Sequence, residues 1–208
     1  MIYRRSVLLR RYHFLSGKGI YLNGDDVKKR YAAVSAALGF CFGAVIYFSY
    51  RLSGHAAWSL IISAVNSSAW ELFKPFGISY LAVIPIELSW LRPELRKFIC
   101  ARMTGVYVLA AVIIGLAMLC RIEDDRLYYP LVMMIAAAGE ALSAVLSYRL
   151  YYSRRYISYL LLPAVVTIFA VVFMILILTF YPPQWGIFYD FRTDSVSLEN
   201  MRAELLQI

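Results

Sequence analysis

The chain has 208 residues, of which 62% are hydrophobic and only 16% charged, against roughly 25% charged in a typical soluble domain. Water is therefore not its main solvent, and a soluble enzyme is excluded as the starting expectation. The formal charge of +8 would suit a nucleic-acid partner, but the basic residues gather in short clusters between apolar runs, where membrane proteins keep their topological determinants. No nucleic-acid partner is expected.

In chain order, residues 1–30 form a basic segment whose arginines interrupt every apolar run, so it lacks the 7–15-residue core of a signal peptide and is expected to stay uncleaved. An uncharged first span is predicted over 31–50. Residues 56–65 are apolar but would reach only ~15 Å as a helix, so they read as an interfacial or re-entrant segment. A polar junction, Asn66-Ser67-Ser68, opens a second span over 69–91 that contains Glu71, Lys74, Glu87, Pro75 and Pro85. A third span over 98–120, a fourth over 127–148 and a fifth over 157–180 are more uniform, and Pro182-Pro183 stops the last. The predicted fold is an all-α, polytopic five-span helix bundle over 31–180 with a tail over 181–208.

Orientation follows from the Lys and Arg residues. Fifteen fall in 1–30, 91–102 and 149–156, and six fall in 51–75, 121–126 and 181–208. Cytoplasmic loops hold the excess, so the N-terminus is expected in the cytoplasm and the tail outside. Tyr50, Trp90, Tyr148, Tyr181 and Trp185 stand at span ends, as interfacial aromatic belts do. Small residues at four-residue spacing predict helix-contact ridges: Ser35, Gly39 and Gly43 in the first span, Ala111 and Gly115 in the third, and Gly139, Ser143 and Ser147 in the fourth. The fifth, rich in Val, Ile, Leu and Phe, is expected to face lipid.

Each ionisable group inside a bilayer costs ~2.5–3.5 kcal/mol and needs a reason. Glu140 lies deepest, beside Gly139 and Ser143. It reads either as a proton- or cation-handling carboxyl or as protonated glue bonded to a neighbouring helix. Glu87 is about one turn from Arg92, where it can snorkel to headgroup water or pair with a base. Glu71 and Lys74 share a helix face, and Ser68-Ala69-Trp70-Glu71 matches the S-x-x-E capping box. The same helix start, with Lys74 beside it, also suits an anionic head group. His55 has no second histidine at ligand spacing, and the cysteines 41, 100 and 120 are far apart, so neither a metal nor any other cofactor is expected. No nucleophile, phosphate-loop or zinc motif occurs, so an enzyme is not the expectation.

The stretch from Asn66 to Glu87 resembles an uncharacterised family of bacterial integral membrane proteins, known mainly from Firmicutes. Its pattern is an Asn-Glu-Ser-Val-Trp-Glu-His segment followed by a Lys, a Pro and an Ile-Glu. Asn66, Ser68, Trp70, Glu71, Lys74 and Glu87 fall on matching types. A second segment matches through Pro182, Pro183, Phe188, Asp190 and Thr193. Ser67, Leu72, Gln184, Phe191 and Asp194 depart from the pattern. The resemblance implies a bacterial cell membrane and a polar region around Asn66, and no reaction. The expected role is to bind or move a small solute, ion or lipid head group through Asn66, Ser68, Trp70, Glu71, Lys74, Glu87 and Glu140. The alternative is a non-catalytic accessory or scaffold subunit packed against a membrane-protein partner.

Overall fold

The computed structural model describes residues 24–54, 56, 58–91, 93–120, 125–153, 161–183, 186–190 and 195–196. His55, Arg92, Trp185, Thr193, most of the basic 1–30 segment and most of the tail lie outside the described residues. Among the described residues six α-helices follow in order: α1 (Gly24–Leu52), α2 (Ser59–Ile62), α3 (Ala69–Leu91), α4 (Leu95–Cys120), α5 (Asp125–Tyr152) and α6 (Leu161–Phe180). All but α2 are long and apolar enough to cross a membrane. The chain is an all-α, multi-pass integral membrane protein.

Helices α1, α3, α4 and α5 form a four-helix ring in which α1 and α4 each pack against both α3 and α5. Helix α6 leans on the outside of α4. Its Leu162, Val166, Phe169 and Phe173 are exposed. On α1 the buried positions are 32, 35, 39, 43, 47 and 50, a three-and-four spacing that lays one stripe against the ring.

The small-residue ridges work on α1 and α5. A Cβ on Gly39 would run into the Glu140 carboxyl of α5, and one on Gly43 would run into Phe76 and Ser79 of α3. Gly139 of α5 lets Ile113 and Leu109 of α4 approach, and Gly105 of α4 makes room for Tyr80 and Ser147. The ridge expected on α4 is absent: Ala111 is exposed and Gly115 faces open space. Two of the expected belt residues also belong elsewhere. Trp90 and Tyr181 are exposed, but Tyr50 and Tyr148 are buried, because the turn after α1 covers one and Glu87 recruits the other.

The segment after α1 turns back along it. Ser63 Oγ donates to the Tyr47 carbonyl at 2.7 Å and accepts from the Tyr50 amide at 3.3 Å, so 59–63 lies beside the last turns of α1 rather than crossing. At the other end of the sequence, a 3-10 turn (Gly186–Phe188) leads into a minimal antiparallel pair, β1 (Tyr189–Asp190) and β2 (Ser195–Val196). This turn sits against α3.

Candidate functional site

The polar groups of the bundle are organised by α3, which carries them at three levels. The first level is its N-terminal turn. Ser68 caps the helix, its Oγ accepting from the Glu71 amide at 3.3 Å, while Asn66 Oδ1 accepts from the Ser68 amide at 3.1 Å. Half of the predicted capping box is therefore present. The other half is diverted: Glu71 Oε2 accepts from the Val65 amide at 3.0 Å, because Asn66 already serves Ser68. The same Glu71 oxygen pairs with Lys74 Nζ at 2.8 Å, and Lys74 also donates to the Leu60 carbonyl at 3.0 Å. Lys74 is 0% exposed. It pins the 59–63 turn to α3, so its charge is engaged within the protein rather than presented to an outside anion.

The tail completes this level. Asp190 Oδ2 accepts from the Ser67 amide at 3.0 Å, and the Phe188 ring lies 5.7 Å from that of Trp70. Asp190 and Glu71 thus supply two carboxylates at the partially positive end of α3, where an external anion would otherwise be favoured. Two donors here remain unanswered. Trp70 Nε1 and Asn66 Nδ2 are buried N–H groups with no hydrogen-bond partner. Each such group costs ~1–3 kcal/mol when left unpaired.

The second level is mid-helix. Glu140 of α5 lies beneath Gly39, with Oε1 at 3.5 Å from Ser79 Oγ. Ser79 Oγ also donates to the Phe76 carbonyl at 2.8 Å, the shorter of its two contacts.

The third level lies about 20 Å along the axis from Lys74 and on the opposite face of α3, at 100° per residue. Glu87 is 5% exposed and does not snorkel. Its Oε2 lies 3.2 Å from Nε of Arg102 on α4, and its Oε1 accepts from the Tyr148 hydroxyl at 3.4 Å. The ion pair is close without hydrogen-bond alignment, since Arg102 Nε and Glu87 Oε2 have no bonding partner. Arg102 instead spends its directional contacts elsewhere: Nη1 donates to Ser35 Oγ of α1 at 3.0 Å, and the guanidinium stacks 4.0 Å over the Tyr80 ring. The Tyr80 hydroxyl in turn meets Ser147 Oγ at 2.8 Å.

Arg102 was counted among the basic residues of the 91–102 segment, although it also fell inside the third span predicted over 98–120, and its burial places it with the span. Helix α4 starts three residues earlier than predicted, and Arg102 is 1% exposed. Of the expected site residues, Asn66, Ser68, Trp70, Glu71 and Lys74 share one cluster, Glu87 belongs to another, and Glu140 stands between them. Asp190, Arg102, Ser35, Tyr80 and Tyr148 were not among them. Asp190 had a signal in the tail segment of the family resemblance, and Ser35 had one in the α1 ridge. No family model, curated protein or solved structure matches the chain.

Proposed function

We propose that this protein binds or moves a small solute or lipid head group through the polar interior organised by α3, with the Asn66–Lys74 junction as the entry site. The observation that supports this is the disposition of charge. Glu71, Lys74, Glu87, Arg102 and Glu140 are all buried among helices of one chain, although a bundle of this size can be built without any of them. Intramembrane ionisable groups that face a bundle interior mark pathways and binding sites. On this reading the junction takes the ligand, and Glu140 and Glu87–Arg102 lie deeper along the same helix. The basic-residue asymmetry supports a cytoplasmic N-terminus, with the junction on the outer side. The resemblance of the 66–87 stretch to an uncharacterised bacterial family falls on the same region and adds no reaction.

A second reading, an accessory subunit, is favoured by the exposed apolar face of α6, which would pack against a partner. Native mass spectrometry of gently purified protein separates the two. A retained small molecule supports the first reading, and a retained subunit with no small molecule supports the second.

A further inference from the structure

We infer that the junction recognises an uncharged ligand through oxygen acceptors, a hydroxyl or carbonyl group, with Trp70 Nε1 and Asn66 Nδ2 as the recognising donors. This rests on the binding reading above and names the ligand class for the same site. Three observations carry it.

First, the groups that would hold an anion are consumed. Lys74 is fully buried and bonded to Glu71 and the Leu60 carbonyl, so the pair presents no net positive charge. The amides of Val65, Ser67, Ser68 and Glu71 are bonded to Glu71, Asp190, Asn66 and Ser68 respectively. An incoming phosphate or carboxylate would have to break these bonds and approach two carboxylates. Second, Trp70 is 5% exposed, yet its indole N–H has no partner, and the amide nitrogen of Asn66 in the same turn is equally unsatisfied. Both are neutral donors, which a neutral acceptor satisfies without introducing an uncompensated charge. Third, the Trp70 ring is fixed between Phe73 and Phe188, each with its centroid 5.7 Å away. The indole N–H therefore holds a set direction.

The neighbourhood admits two sources of such oxygen. Trp58, in the re-entrant segment beside α3, is exposed, as interfacial tryptophans are, and headgroup depth offers both lipid esters and solute hydroxyls. The test uses the full chain in detergent with three probes: a short-chain diacylglycerol, the phosphatidic acid with the same acyl chains, and free glycerol. Diacylglycerol binding with weak phosphatidic acid binding indicates a lipid source, and glycerol binding at comparable strength indicates a free solute. In either case Trp70→Phe, which keeps the ring and removes the N–H, should weaken binding roughly three- to tenfold. Should that variant fail to fold, the indole ¹⁵N–¹H resonance of Trp70 in the wild-type chain must shift downfield when the bound probe is added. Tighter binding of phosphatidic acid, lost in Lys74→Gln and unchanged in Trp70→Phe, would overturn the ligand class and leave the binding reading standing. Failure of all three probes on a chain that carries a native small molecule also overturns the class alone. Failure on a chain that carries none overturns both.

Discussion

Arg102 and Glu87 form the contact whose loss should be most visible in stability. In Glu87→Gln the Tyr148 contact can survive, but the guanidinium is left without its counter-charge inside the membrane, a cost of ~2.5–3.5 kcal/mol. The Ser35 bond and the Tyr80 ring remain and offset about 1 kcal/mol of this, leaving a destabilisation of about 2 kcal/mol. Arg102→Gln strands Glu87 and also forfeits the Ser35 and Tyr80 contacts, for about 3 kcal/mol. The double variant loses those contacts but strands no charge, so it should cost about 1 kcal/mol, roughly 4 kcal/mol less than the sum of the single changes. Unfolding in mixed micelles by SDS titration gives all three values. Additivity within about 0.5 kcal/mol would show that the two charges do not sense each other, and the ion-pair account would fail.

Three further outcomes are expected. A reporter fused after residue 208 should be active only if it works outside the cytoplasm, and one in the 149–156 loop only if it works inside; the reverse pattern would refute the five-span orientation. Ser68→Ala should lower stability in detergent by about 0.5–2 kcal/mol through loss of the α3 cap, with Ser68→Asp close to wild type in the same melt. Gly39→Ala should cost about 1–3 kcal/mol, because the added methyl must displace the buried Glu140 carboxyl; Glu140→Ala in the same chain should recover part of that loss, and no recovery would place the clash elsewhere.

The spans and the packing ridges of α1 and α5 were legible because each depends on local pattern: an apolar run of membrane length, or small residues on one helix face. The capping serine was legible for the same reason. Arg102 was not, since Arg96 and Lys97 nearby made a basic loop the natural reading, and only the partner helix shows that this side chain turns inward to Glu87. Removing the buried Arg102 and Lys74 from the loop tally leaves fourteen basic residues against five, so the asymmetry behind the orientation survives. The docking of Asp190 on Ser67 joins residues 123 positions apart, which no periodicity encodes. Glu71 missed its expected role for a simpler reason: Asn66 competes for the same amide, and the freed carboxylate turned to Lys74.

The charge carried by α3 also bears on how the chain enters the membrane. Its mean hydropathy of 1.3 is the lowest of the five spans, against 3.0 for α6. With Glu71, Lys74 and Glu87 together opposing transfer by roughly 8–10 kcal/mol, α3 is poorly suited to partition into lipid by itself. Lys74 answers Glu71 within the same helix, but the counter-charge for Glu87 is not synthesised until α4 emerges. The accommodation of α3 in the bilayer therefore depends on α4, the helix that supplies Arg102.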